Sequence, residues 1–138
     1  KISSENKLEN YAKIAVENYI YNFDNYKLDL AANEVLSLAI NTNLYLNDNQ
    51  PWLLIKEKDN LPLVKEIIYN VLESTRIIGL LLLPLLPELS SKINEQLGSI
   101  YSKEISWEQQ LKWGLLVRNS GLPKPIPIIN KLEYDKDL

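Results

Sequence analysis

Asn43 to Lys56 reads NLYLNDNQPWLLIK, and the way this stretch divides decides the fold. A helix carrying Tyr45 and Leu46 runs into the polar cluster Asn47-Asp48-Asn49-Gln50, which is expected to end it. Pro51 suits the first position of a new helix, because its fixed φ fits and its missing N–H bonds nothing there. Trp52 then falls in the first turn of that helix, at a bend between two elements. One reading makes the indole a wedge that packs the two helices together. The other makes it a flat platform for a ligand's ring, with helix N–H groups nearby for an anion. The residues alone leave both open.

Working outward, helical spacing dominates. Toward the N-terminus, Leu8, Ala12, Ala15, Tyr19 and Phe23 repeat along a helix from about Ser4 to Phe23, with Ser3 or Ser4 as cap. Asp24-Asn25-Tyr26 reads as a turn, and a second helix follows from about Leu28 to Leu46. Its main stripe is Leu28, Ala31, Val35, Leu38 and Tyr45, and a flank of Leu36 and Ile40 predicts neighbours on a second side. Downstream, a short helix is expected from Pro51 to about Lys58, closed by Asp59-Asn60. The longest helix spans about Pro62 to Leu83, with Val64, Ile67, Ile68, Val71, Leu72, Ile78 and Leu82 on a broad apolar face. The run from Ile77 to Leu86 is nearly all apolar, yet Gly79 and Pro84 interrupt it and it falls short of the ~20 residues a membrane span needs. Pro87 begins another helix that stops at Gly98, where a left-handed cap fits. Ser106 caps a last helix from Trp107 to Trp113. From Gly114 onward, glycines and the Pro123-x-Pro125-x-Pro127 spacing forbid helix and predict an extended tail. The fold expected is an all-α helix bundle over residues 1–113 with an extended Pro-rich C-terminal tail over 114–138.

At 138 residues the chain is one domain's worth. It has no cysteine and no histidine, which excludes disulfides, thiol catalysis and the usual triads and zinc sites. Its four glycines are isolated, so no phosphate-cradling loop exists. Glu57 with Asp59, and Asp135 with Asp137, read as solvated carboxylates rather than acid–base pairs. No catalytic residue, metal ligand or cofactor-binding residue emerges, and binding is the function left. A net charge of −3 argues against indiscriminate nucleic-acid binding. The chain has no methionine and begins at Lys1 with no trace of a signal sequence, so a piece of a longer polypeptide is expected.

The stretch at the bend also resembles a known family, the C-terminal helical domains of methionyl-tRNA synthetases, which are class I aminoacyl-tRNA synthetases. The family pattern Asn-x-Tyr-(Ile/Leu)-x-x-x-x-Pro-Trp-x-Leu-x-Lys is met by Asn43, Tyr45, Leu46, Pro51, Trp52, Leu54 and Lys56. The likeness continues through Tyr69-Asn70-Val71-Leu72-Glu73, Leu83-Pro84-Leu85-Leu86-Pro87-Glu88, Glu95-Gln96-Leu97-Gly98, Trp113-Gly114-Leu115-Leu116 and Lys124-Pro125-Ile126-Pro127. The resemblance implies an anticodon-binding helix bundle whose partner is the anticodon of methionine tRNA. It implies that Trp52 stacks on the anticodon's first base, a cytosine, and that Pro51 sets its angle. Asn43 and Tyr45 match the pattern and read first as structural, while Lys56 is either a phosphate contact or a solvated lysine.

The family's Asn-x-x-x-Asn-Arg element on an earlier helix has no match, since Arg76 and Arg118 are the only arginines; the chain is expected to begin after that helix. The family's His-Ile-Gly-His and Lys-Met-Ser-Lys-Ser motifs are also absent, so ATP and methionine are expected to bind a separate catalytic domain. The tail is expected to pack back toward that domain, leaving Ile126, Ile128 and Ile129 uncovered in this piece. A cytoplasmic protein of translation with no membrane or DNA partner follows from the resemblance. The alternatives are the equivalent domain of a valine, leucine or isoleucine synthetase, and a helical protein-interaction module that docks its tail on a partner.

Overall fold

The computed structural model describes residues 6–118 and 121–129, and within them the chain is helical with no strand. Helix α1 is Lys7–Asp24, α2 is Leu28–Asn49, α3 is Pro51–Leu54, α4 is Leu61–Leu82, α5 is Pro87–Gln96 and α6 is Trp107–Gln110. A 3-10 turn, Lys58–Asn60, links α3 to α4.

Several boundaries differ from the sequence reading, each for a local reason. The cap expected at Ser3 or Ser4 lies outside the described residues; α1 starts at Lys7 and is capped by Asn6, whose side chain accepts from the Glu9 N–H at 3.3 Å. Helix α2 continues three residues past Leu46, through the polar cluster. There Asn49 Nδ2 donates back to the Tyr45 carbonyl at 2.7 Å, so the amide joins the helix instead of breaking it. Gln50 is the stop, left-handed at φ 44° and ψ 58°. Helix α3 is a single turn, because Leu54 O accepts from Glu57 N at 3.2 Å and the chain tightens into the 3-10 turn. Ser106 and Gln109 form a full capping box, but α6 ends at Gln110 rather than Trp113. The carbonyls of Gln110 and Lys112 accept instead from the Arg76 guanidinium, at 2.5 and 2.7 Å. Gly98 (φ 94°) and Ser99 (φ 58°) close α5, with Ser99 N donating to Asn94 O at 2.7 Å.

Helices α1, α2 and α4 form the bundle, and α5 packs on α4. The core joins Ala12, Ala15 and Tyr19 of α1, Ala31, Val35 and Leu38 of α2, and Ile77, Leu80 and Leu81 of α4. Trp107 edges this core and donates its indole N–H to the Leu80 carbonyl at 2.7 Å. Gly79 lets α4 and α5 close up, since a Cβ there would collide with Tyr101 Oη and Ile93. The second side expected for α2 is open to solvent, with Leu36 and Ile40 both more than half exposed.

The chain after α6 is tied to α4 by a buried polar ladder. The Glu73 carboxylate, fully buried, accepts from three successive N–H groups: Gly114 at 2.7 Å, Leu115 at 3.1 Å and Leu116 at 3.0 Å. Arg76 grips the same carboxylate with Nε at 2.9 Å and Nη2 at 2.6 Å. Toward the N-terminal end of α4, Tyr69 Oη donates to Leu116 O at 3.2 Å, and Arg118 lies 3.9 Å over the Tyr69 ring while bonding Glu66 at 2.9 and 3.3 Å. Gly114 has φ 93°, a turn conformation that favours glycine.

Candidate nucleic-acid interface

The bend between α2 and α3 is built from the strained Gln50, the buried Pro51 and the exposed Trp52. Pro51 occupies the first helical position and is the residue that packs inward. Trp52 is 50% exposed, and no ring contact or hydrogen bond to its indole occurs among the described residues. The other two tryptophans differ. Trp107 is held by Tyr19 and Leu80, and Trp113 is half-buried against the core. At the bend the proline is buried, while the indole is half-exposed beside Leu53, which is 47% exposed.

Asn43 and Lys56 are both exposed, and neither side chain makes a hydrogen bond or ion pair among the described residues. Near the end of α2 it is the Asn49 side chain that bonds the backbone. Tyr45 is half-buried and does hold elements together, since its hydroxyl accepts from Asn70 Nδ2 of α4 at 3.0 Å. Asn70 Oδ1 in turn accepts from Asn6 Nδ2 at 3.0 Å, linking the start of α1 to the same end of the bundle. One turn further along α4, Ser74 and Thr42 hydroxyls meet at 2.7 Å.

Along the sequence from Asp48 to Lys65 the charges alternate. Lys56, Lys58 and Lys65 stand among Asp48, Glu57 and Asp59, all exposed. Such a surface favours a ring stacked on the indole over a polyanion held by charge alone. Two clefts indent the surface elsewhere. One of about 390 Å³ is lined by Glu9, Lys13, Glu17, Glu108, Lys112 and Trp113. The other, of about 670 Å³, lies between the start of α5 (Leu86, Leu89, Lys92) and Ile128 and Ile129. Ile126 and Ile129 are exposed, and Ile126 N donates to Gln96 Oε1 at 3.0 Å. No group of three metal-binding side chains occurs among the described residues, and no helix there is long and apolar enough to cross a membrane.

The sequence reading missed Asn70, Glu73, Ser74 and Arg76 as buried positions. A signal existed. Ile67, Asn70, Ser74, Ile77 and Leu81 follow the alternating three-and-four spacing of one helix face, so two polar residues occupied core positions.

A family model described as the anticodon binding domain of methionyl tRNA ligase matches residues 2–133. A methionine–tRNA ligase of Synechocystis sp. is 35% identical over 113 residues, covering 75% of this chain and 21% of that protein. One from Caldanaerobacter subterraneus is 31% identical over 123 residues, 89% of this chain and 18% of the relative. One from Bacillus subtilis is 26% identical over 134 residues, 97% of this chain and 20% of the relative. The chain thus spans about a fifth of the length of the curated relatives it matches.

Proposed function

This chain belongs to the family of anticodon-binding domains of methionyl-tRNA ligase, and we propose that it binds the anticodon of methionine tRNA with Trp52 as its stacking platform. The observation that carries the reading is the half-exposed indole, free of ring contacts, set on a buried proline at a left-handed bend. A base has a π-face whatever its identity, so an open indole attracts it without a basic surface. That resolves the tension with a net charge of −3. Asn43 and Lys56, exposed on either side of the bend, flank the stacked base, the first as a polar contact and the second as a cation toward phosphate.

Attachment of methionine to tRNA, with its ATP and methionine sites, lies in our reading in a catalytic domain of a longer polypeptide, and this chain needs no cofactor. The segment from Gly114 onward leads back toward that domain, with the apolar cleft at Leu86, Leu89 and Ile129 as its docking side. The protein works in the cytoplasm. Trp52→Ala tests the platform. Base stacking is worth about 1–3 kcal/mol, so methionine tRNA should bind roughly 5- to 150-fold more weakly to the full-length polypeptide. Trp52→Phe should keep part of the binding, and the melting temperature should fall only modestly. Intact tRNA affinity in Trp52→Ala, or an unfolded domain, would show the indole to be structural.

A further inference from the structure

The amides of Asn6 and Asn70 form a hydrogen-bond chain whose direction is fixed at one end. Asn6 caps α1, and its Oδ1 accepts from the Glu9 backbone N–H at 3.3 Å, an atom that can only donate. Asn6 therefore presents its Nδ2 to Asn70, which must meet it with Oδ1, at 3.0 Å. That turns Asn70 Nδ2 toward Tyr45, whose hydroxyl must accept, also at 3.0 Å. The Tyr45 proton is thus forced away from the network, and no described residue accepts it. Asn70 is 5% exposed and locked, whereas Tyr45 is half-buried and reaches the surface. Tyr45 stands six residues before Pro51 in the last turns of α2. Four residues of helix and three further links put its Cα at most about 17 Å from that of Trp52. An anticodon loop seated on the indole spans that distance.

We propose that the Tyr45 hydroxyl donates a hydrogen bond to a ring nitrogen or carbonyl oxygen of an anticodon base, with Asn70 as the positioning residue that sets the direction of donation. The inference rests on the reading of Trp52 as the RNA platform. A donor whose polarity is fixed in advance accepts only a base presenting an acceptor at that point, and one presenting an N–H leaves two protons facing each other. Tyr45 is then a specificity determinant and not only a packing residue.

The test compares the methionine anticodon stem-loop with loops substituted at each anticodon position in turn, bound to the full-length polypeptide. Tyr45→Phe removes one oxygen. It should weaken the methionine loop about 3- to 10-fold and reduce discrimination at one anticodon position by the same factor. Asn70→Asp is the decisive variant. Its carboxylate still accepts from Asn6 but now captures the Tyr45 proton, so both bonds survive and only the one to Tyr45 reverses its direction. It should lose the same discrimination as Tyr45→Phe. Its extra negative charge lowers affinity for every loop alike, so the ratio between loops is what is read. If Asn70→Asp keeps the parent ratio, the network is structural and the proposal fails. Equal weakening of all loops by Tyr45→Phe would place the acceptor on the RNA backbone and also overturn it. Trp52→Ala, run on the same loops, keeps the two readings apart. Loss of binding there with unchanged Tyr45→Phe ratios sinks only the Tyr45 proposal, and full binding by Trp52→Ala sinks both.

Discussion

Gln50 carries the geometry of the bend in a conformation that suits it poorly. A non-glycine residue at φ 44° has its Cβ close to the following carbonyl, which costs about 1–2 kcal/mol, and a proline follows directly. Such strain persists only where the surroundings over-determine it, and here it turns the chain so that Pro51 is buried and Trp52 is left half-exposed. Glycine relieves the strain but loosens the unfolded chain by about 0.4–1 kcal/mol, so the two effects nearly cancel. Gln50→Gly should therefore melt within a few degrees of the parent and keep its RNA affinity. Gln50→Val, with a branched Cβ in the same turn, should lose about 1–2 kcal/mol. Thermal melts of the two variants decide the point, and a valine variant as stable as the parent would remove the strain argument. The sequence identified the bend and both of its functional candidates, Pro51 and Trp52, because proline after a polar cluster is a strong local signal. It placed the stop too early. The Asn49 side chain bonding back to Tyr45 O depends on a rotamer, which no residue pattern reveals.

At the level of elements, α4 is the spine, and its polar residues do work that its apolar ones cannot. Hydrophobic spacing placed Val64 and Ile67 correctly in the core, but it also put Ile68 on the inward face, where the structure leaves it 39% exposed. The true inward face admits Asn70, Glu73, Ser74 and Arg76 because each finds a partner across the bundle or on the chain after α6. Periodicity cannot foresee those partners, since Glu73 is 41 residues from Gly114. Breaking a buried ion pair from one side leaves the other charge uncompensated, at a cost of about 3–5 kcal/mol. Glu73→Ala should lose at least that, because three backbone N–H groups lose their acceptor too. Glu73→Gln keeps an oxygen and should fall between. Replacing both partners, as Glu73→Leu with Arg76→Met, should recover part of the loss, as buried pairs exchanged for apolar groups often do. Urea midpoints of the three variants order these effects. A double variant less stable than Glu73→Ala would show that Arg76 holds the Gln110 and Lys112 carbonyls even without its carboxylate partner.

Across the whole molecule, the described shifts that bear on alkaline stability are those of buried tyrosines, and the chain has no histidine to titrate near neutrality. Tyr19 is fully buried among Phe23 and Trp107, its hydroxyl has no hydrogen-bond partner among the described residues, and burial pushes its pKa up to about 12. Tyr101 is raised by burial as well, with the Ser90 hydroxyl and Arg76 opposing. A folded-state pKa above the unfolded one means that both states hold the proton below about pH 10, so these groups leave stability flat there. Above pH 10 the unfolded chain ionises its phenols while the fold cannot. Stability then falls by about 1.4 kcal/mol per pH unit for Tyr19 until its folded pKa is reached, near 3 kcal/mol in all. Tyr19→Phe isolates this effect, because it removes the phenol and keeps the ring. It should also stabilise the protein at pH 8 by about 1 kcal/mol, or 2–4 °C, because a buried hydroxyl without a partner is removed while the ring remains. Urea unfolding followed by circular dichroism at pH 8, 10 and 11 gives both numbers. The parent should lose stability more steeply than the variant above pH 10, and the variant should retain the decline due to Tyr69 and Tyr101. Parallel curves for the two proteins would mean that the Tyr19 hydroxyl reaches water or a partner in solution.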